Sequence, residues 1–168
     1  MPSFDLKVTE SIQKAGVPVM EFWWYVARFG LYFYGAVLLG LAYFLNEKHR
    51  LFVIALPVLV TLAVTFIIQR IVRRRRPVVT KTTYDLWMHT YSFPSGHSSI
   101  SFAFATSLSI LFLNSHLAFS WIYAVVFFVA AFLIAVSRIV VGVHYFYDVL
   151  MGALIGIFVS VTLSGLLV

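Results

Sequence analysis

The chain has 168 residues, of which 62% are hydrophobic and 11% charged, and its mean hydropathy is +0.97. A water-soluble domain of this size cannot hide so much apolar surface, so the composition excludes a soluble protein and predicts an integral membrane protein. The net charge of +6 includes a run of four arginines at 73–76. In a membrane protein, such a run favours lipid head groups or a phosphorylated substrate over nucleic acid as the partner.

The predicted elements form one all-α, polytopic transmembrane helical bundle, a single membrane-embedded domain over residues 1–168. Residues 3–15 mix apolar and polar side chains at helical spacing and predict an interfacial amphipathic helix, within an N-terminal interfacial segment over 1–28. Five further segments are each close to the roughly 20 residues that cross a hydrocarbon core. These predicted spans are 29–45, 51–68, 94–113, 118–136 and 145–168.

Two connections matter most. The second helix is expected to continue through Arg76 and to stop at Pro77, because proline lacks a donor and disfavours helix in the preceding residue. The longest connection, residues 78–91, is expected to form a rim or lid beside the membrane surface. In an antiparallel bundle, the end of the second span, the start of the third, the end of the fourth and the start of the fifth share one membrane face.

The turn Pro94-Ser95-Gly96-His97 opens directly into the third span. A helix that begins here directs its unpaired N–H groups and the positive end of its dipole outward, which suits an anion such as phosphate. His97 adds a side chain that can give or take a proton near neutral pH. The alternative interpretation is a simple helix N-cap with an incidental histidine.

Two charged residues, Arg138 and Asp148, flank the turn between the last two apolar spans. A charge at membrane depth is costly, so it usually faces a polar cavity and carries function. The alternative is that the two merely pair with each other or extend to the interface. The spacing of His144 and Asp148, four residues apart, places both on one helix face. There, the carboxylate would fix the histidine tautomer and make its other nitrogen a better nucleophile.

No cluster of carboxylates or cysteines in the sequence indicates a metal site, and no cofactor is expected. Arginine matches phosphate oxygens with a rigid fork and stays charged. Two histidines, an orienting carboxylate and several arginines therefore suit metal-free phosphoryl transfer through a covalent phosphohistidine.

These motifs, in this order, resemble those of the type 2 phosphatidic acid phosphatase superfamily. The three matching pieces are Arg76-Pro77, then the Pro-Ser-Gly-His turn, then Ser137-Arg138 followed by His144 and Asp148. The resemblance implies that His144 is the nucleophile and that Asp148 holds it. It also implies that His97 is first the general acid for the leaving oxygen and then the base that activates water.

The same resemblance implies that Arg76 and Arg138 clamp the phosphoryl oxygens, with Ser95 and the Gly96 backbone completing the cradle. The family usually has a lysine seven positions before the first-motif arginine, where this chain has Gln69. Arg70 and, one turn closer to Pro77, Arg73 are the candidates for the missing charge. For Arg74 and Arg75 we favour lipid-phosphate contact or plain solvation.

The resemblance implies a metal-independent lipid phosphatase whose substrate keeps its apolar tail in the bilayer. The compact chain of this protein looks most like a bacterial undecaprenyl-diphosphate phosphatase. Phosphatidylglycerophosphate, phosphatidic acid and lipid A phosphatases are the alternatives. A non-catalytic lipid-phosphate binder or transporter would need the arginines but not both histidines with Asp148. Vanadium-dependent haloperoxidases share the motifs but are soluble, which this composition contradicts. The sequence leaves the oligomeric state open.

The family places such a site at the periplasm or cell exterior, in a bacterial inner (plasma) membrane. The positive-inside rule points the other way, because the predicted active-site face carries most of the arginines and the opposite loop has only Lys48 and Arg50. We follow the family, because several of those arginines are needed at the site.

Overall fold

The computed structural model describes residues 2–44, 48–77, 91–115 and 118–167. Within these ranges the chain is helical and contains no strand, which confirms the predicted all-α class. Five helical stretches are long and apolar enough to cross a membrane. Most of the predicted rim or lid, at 78–90, lies outside the described residues. The helices are α1 (Pro2–Gly16), α2 (Met20–Phe44), α3 (Lys48–Val72), α4 (Gly96–Leu113), α5 (Ser120–Val140) and α6 (Phe146–Leu167), with a 3₁₀ turn at Val17–Val19 between α1 and α2.

Helix α3 ends earlier than predicted, at Val72 rather than Arg76. Arg73 has a left-handed backbone with φ of 52°, which turns the chain out of the helix. The carbonyl of Arg74 then accepts a hydrogen bond from the backbone N–H of Ser92, at 2.8 Å. The prediction relied on Pro77 to stop the helix. The partner that draws the backbone away is distant in sequence, so local signals did not reveal it.

Helix α5 runs to Val140, beyond the predicted end at 136, and therefore includes Ser137 and Arg138. The turn that follows contains Gly142, whose φ of 79° suits a residue without a Cβ. Helix α4 begins at Gly96, with Ser95 rather than Pro94 at its cap position.

Helix α1 packs against the start of α6. Asp5 and Thr9 are each only 3% exposed. The Thr9 hydroxyl oxygen accepts a hydrogen bond from the Phe146 N–H at 3.0 Å, and Asp5 Oδ1 accepts one from the Tyr147 N–H at 3.0 Å. The first N–H groups of a helix have no partner within the helix, so α1 provides the caps for α6 from outside.

Small residues line the contact between α4 and α6. A Cβ added to Gly156 would lie 2.3 Å from the Ser99 carbonyl oxygen, and one added to Gly152 would lie 2.6 Å from the Ser95 carbonyl oxygen. Small residues at a helix interface let two backbones approach closely within a membrane. We call this contact the α4–α6 seam: Gly152, Gly156, Ser160 and Ser164 on α6 face Ser95 at the cap of α4 and Ser99, Ala103 and Ser107 within α4.

The seam also contains hydrogen bonds. The Ser98 hydroxyl donates to the Val149 carbonyl at 2.8 Å, and the Ser160 hydroxyl donates to the Ala103 carbonyl at 3.1 Å. The Ser95 backbone N–H donates to the Asp148 carbonyl at 2.8 Å. The seam therefore places the first turn of α4 directly beside the first turn of α6.

Candidate active site

Residues 73–77, which we call the arginine segment, follow the end of α3 without regular secondary structure and are tied to the loop before α4. Arg74 and Arg76 are partly buried, whereas Arg73 and Arg75 are exposed. In a continued helix, consecutive side chains would instead differ by about 100° around the axis. The early end of α3 therefore lets Arg74 and Arg76 point inward together.

Ser92 ties the arginine segment to the loop before α4. Its backbone N–H donates to the Arg74 carbonyl at 2.8 Å, and its hydroxyl donates to the Arg75 carbonyl at 3.1 Å. Gln69 adds a second tie, because its side-chain amide donates to the Pro94 carbonyl at 2.9 Å. Ser92 was not among the predicted site residues, because no local pattern marks a serine that acts through its backbone carbonyl.

His144 lies in the turn before α6 and is 2% exposed. Its Nδ1 is 2.8 Å from the Ser92 carbonyl oxygen. A carbonyl only accepts hydrogen bonds, so Nδ1 carries the proton and the neutral ring has its lone pair on Nε2. Burial lowers the pKa of His144 to about 4, and the charges of Arg138 and Arg76 act in the same direction against the opposing effect of Asp148. The ring is therefore neutral at pH 7, with a nucleophilic lone pair.

Asp148 lies beside His144 without bonding to it directly. Its Oδ2 is 3.7 Å from His144 Nδ1, beyond hydrogen-bond distance, and accepts the Tyr145 N–H at 2.9 Å. Its Oδ1 accepts a hydrogen bond from Arg74 Nη1 at 2.7 Å. The bond that orients the ring thus comes from Ser92, while the fully buried carboxylate contributes a negative charge close to the ring.

Arg76 lies at Nε2 of His144, and Arg138 and His97 are close enough to interact with the ring electrostatically. Arg76 Nη1 is 3.4 Å from Nε2 and 3.3 Å from the Val143 carbonyl oxygen. Burial lowers the pKa of Arg76, and the nearby charge of Asp148 opposes this effect. Arg138 is 8% exposed, and its Nη1 donates to the Ala27 carbonyl at 2.9 Å. His97, half-buried in the first turn of α4, lies near enough to His144, Arg138 and Arg76 to interact with them electrostatically.

The first turn of α4 leaves room for an anion. Ser95 is fully buried, and its hydroxyl makes no hydrogen bond with any described residue. A Cβ added to Gly96 would meet no described atom within 4 Å, so space lies next to this backbone. An unused buried hydroxyl, free helix N–H groups and two arginines form an arrangement that can bind a phosphoryl group.

The family model of the PAP2 superfamily matches residues 50–166, well over half of the chain. The chain belongs to the PAP2 superfamily. It is similar to the crystal structure of Aquifex aeolicus LpxE, with 27% identity and a TM-score of 0.70 over 94% of this chain and 92% of that one. It also shares its fold with a transmembrane PAP2-type phosphatidylglycerolphosphate phosphatase from Bacillus subtilis, with 22% identity and a TM-score of 0.74 over 96% and 85% of the two chains.

The PAP2 assignment confirms the resemblance drawn from the motifs. Together with the five apolar helices, it makes this protein an integral-membrane hydrolase acting on phosphate esters of membrane lipids. The three motifs lie at one end of the bundle, on segments that are far apart in sequence.

None of the three residues considered for the missing first-motif charge, Gln69, Arg70 and Arg73, is shown in contact with His144 among the described residues. Arg70 is exposed, and its guanidinium lies 4.5 Å from the Phe66 ring centre, so the structure does not bring it to His144. Gln69, at the usual lysine position, is buried and supports the Pro94 carbonyl. Arg73 is exposed, and its Nε donates to the Arg70 carbonyl at 2.9 Å.

Arg74 lies in a different environment from the one that was predicted. It was expected to contact lipid or solvent, but it forms ion pairs with Asp148 at 2.7 Å and with Asp5 at 2.5 Å. Burial would lower the pKa of Arg74, but the pairs with Asp5 and Asp148 outweigh it and raise that pKa. No spacing rule relates Asp5 to Arg74, so the sequence offered no signal for this pair.

Proposed function

We propose that this enzyme hydrolyses a lipid diphosphate, converting undecaprenyl diphosphate to undecaprenyl phosphate, through a phosphohistidine on His144. The observation that carries the proposal is the environment of His144: Nδ1 is held by the Ser92 carbonyl, and the neutral Nε2 faces Arg76. A buried imidazole in this state is a nucleophile that needs no prior deprotonation.

In the proposed reaction, His144 Nε2 attacks phosphorus and the bond to the leaving oxygen of the substrate breaks. His97 gives that oxygen its proton, then removes a proton from the water that attacks the phosphohistidine. This second step releases inorganic phosphate and returns the proton to His97. Arg76, Arg138, the Ser95 hydroxyl and the Gly96 N–H would stabilise the charge on the phosphoryl oxygens.

The negative charge of Asp148 supports the same reaction. Attack through Nε2 leaves a positive charge on the His144 ring, because Nδ1 keeps its proton. Asp148 Oδ2, 3.7 Å from Nδ1, would stabilise that charge. Its role would therefore be electrostatic, with Ser92 providing the orientation.

The choice of a diphosphate rests on the exposed arginines. Arg73 and Arg75 lie on the outer side of the arginine segment, next to the inward-facing Arg76, and would suit a second phosphate. Phosphatidylglycerophosphate, phosphatidic acid and lipid A are the alternative substrates. A rate of phosphate release that is highest on one of these monophosphate esters would replace the undecaprenyl assignment.

The test is phosphate release by purified protein from undecaprenyl diphosphate and from the three alternatives. His144→Ala should lower kcat by roughly 10⁴-fold or more, while Asn114→Ala, at the opposite end of α4, should match wild type. Vanadate should inhibit, and activity should survive excess chelator. Wild-type activity in His144→Ala would remove the proposed nucleophile, and tight lipid binding without release by wild type would indicate a binder or transporter.

We also propose a bacterial inner (plasma) membrane location with the site facing the periplasm or exterior. The chain has no cysteine, so a single cysteine at the exposed Glu10 can report the side of the membrane. Labelling of intact cells by an impermeant maleimide is expected. Labelling only after lysis would place the site in the cytoplasm.

A further inference from the structure

The guanidinium of Arg74 bridges two buried carboxylates from opposite ends of the chain. Its Nη1 donates to Asp148 Oδ1 at 2.7 Å and its Nη2 to Asp5 Oδ2 at 2.5 Å. The Tyr145 ring centre lies 4.0 Å from the guanidinium carbon and supports it from one side. Asp5 also accepts the Tyr147 N–H at 3.0 Å, so both acid groups are tied to the first turn of α6.

The charge of this cluster depends on Asp5. Two carboxylates and one guanidinium leave a single net negative charge beside the His144 ring. Without Asp5, the Arg74 charge would cancel that of Asp148. The imidazolium that forms during phosphoryl transfer would then lose its stabilising field, because a compensated ion pair attracts a nearby cation only weakly.

We propose that Asp5 and Arg74 are positioning residues for the phosphatase reaction: together they hold Asp148 and keep the cluster singly negative beside His144. The proposal rests on the proposed role of His144 as nucleophile. It gives α1 a function beyond packing, since the N-terminal helix supplies a charge to the active site. Arg74 thereby differs from Arg76, which faces Nε2 of the reacting ring.

Other charged and titratable groups also lie around His144 and contribute to the electrostatic potential at its ring. They stay constant when Asp5 or Arg74 is changed. They are His97 on α4, Arg138 on α5, Arg76 on the arginine segment and Asp148 on α6.

The experiment changes the cluster charge in both directions. Asp5→Asn keeps an acceptor for the Tyr147 N–H but makes the cluster neutral, so kcat should fall roughly ten- to hundredfold with little change in KM. The acidic limb of its kcat/KM–pH profile should move to lower pH. Arg74→Gln makes the cluster doubly negative, so its limb should move to higher pH.

The double variant Asp5→Asn/Arg74→Gln restores a single negative charge. Its acidic limb should return toward that of wild type, even though two contacts have been removed. A merely structural role would instead add the two defects and would not shift the two single variants in opposite directions. Glu10→Gln is the matched control, because Glu10 is exposed on the same helix and loses the same charge.

The proposal is overturned if Asp5→Asn has the same kcat and the same acidic limb of the kcat/KM–pH profile as Glu10→Gln. It is also overturned if Asp5→Asn and Arg74→Gln move that limb in the same direction. Size-exclusion profiles and Tm report folding for every variant. If Asp5→Asn does not fold, Arg74→Gln measured against Glu10→Gln still tests the predicted move of the acidic limb to higher pH, and an unmoved limb would overturn the proposal. Failure of the proposed function looks different: wild type would release no phosphate, or His144→Ala would remain active.

Discussion

The α4–α6 seam and the arginine segment build the same site by opposite means. The seam joins two regular helices through glycines and serines, with backbones so close that a Cβ on Gly156 would lie 2.3 Å from a carbonyl oxygen. The arginine segment has no regular structure and is held by hydrogen bonds to Ser92 and by the Arg74 ion pairs. The seam fixes the first turns of α4 and α6 beside each other, with His97 in the first and His144 just before the second. The arginine segment supplies positive charge.

The two kinds of structure contribute differently to the site of this protein. Packed helices are rigid over long distances, but consecutive arginines on a helix would point in different directions around its axis. The arginine segment lies outside the helix and brings Arg74 to Asp148 and Arg76 to His144. Substitutions in the seam should therefore lower the stability of the fold, whereas substitutions in the arginine segment should lower kcat.

The largest effect is expected at the seam. Gly156→Leu would force the α4 and α6 backbones apart, because the new side chain meets the Ser99 carbonyl and the Ala103 backbone. Overpacking of this kind costs roughly 1–3 kcal/mol or more. Phosphate release should be lost and Tm lowered. Gly165→Leu is the control on the same helix, since a Cβ there meets no described atom within 4 Å. Equal Tm values for the two variants would show that the seam does not determine the fold.

Arg76→Ala should give the next largest effect, with folding intact. Removing a donor from a site that stabilises developing negative charge costs roughly 10²–10³-fold in kcat. Arg50→Ala, near the other end of α3, should retain wild-type activity. Steady-state kinetics and Tm for both variants check the prediction. A large loss of Tm in Arg76→Ala would mean that the segment supports the fold as the seam does.

Ser92→Ala should have a smaller effect. It removes the hydroxyl bonds to the Arg74 and Arg75 carbonyls but keeps the backbone carbonyl that binds His144. One such bond is worth about 1 kcal/mol, so activity should fall by up to about tenfold. Ser11→Ala removes an exposed hydroxyl bond to the Lys7 carbonyl and serves as control. If Ser92→Ala has full activity, the hydroxyl is not needed to place the arginine segment.

The smallest change is expected between pH 7 and pH 5. The His144 pKa of about 4 keeps the ring neutral in this range, so its protonation should not reduce kcat/KM until the pH approaches 4. Folding favours the neutral ring, and the unfolded chain binds the proton from about pH 6.5. The free energy of unfolding should therefore decrease as pH falls from 6.5 to 4. If kcat/KM of the wild type drops near pH 6.5, and drops at the same pH in Asp5→Asn, His144 would be exposed rather than buried.

The sequence by itself determined the helical class, the approximate spans and the common membrane face of the motifs. These follow from long apolar runs, the limited length that crosses a bilayer, and the alternation of antiparallel spans. It also singled out His97, Arg76, Arg138, His144 and Asp148 as candidate site residues, because ionisable groups next to apolar spans stand out against their surroundings. The order of the motifs then pointed to the family that the comparison confirms.

Only the tertiary structure decided how those residues are held. The end of α3 at Val72, the Ser92 carbonyl on His144 Nδ1 and the Asp5–Arg74–Asp148 bridge depend on partners far away in the chain. Sequence periodicity reports which face of a helix is apolar, but it carries no information about which distant backbone carbonyl or carboxylate will meet a given side chain. That meeting is set by the α4–α6 seam and by the docking of α1, which exist only once the helices have packed.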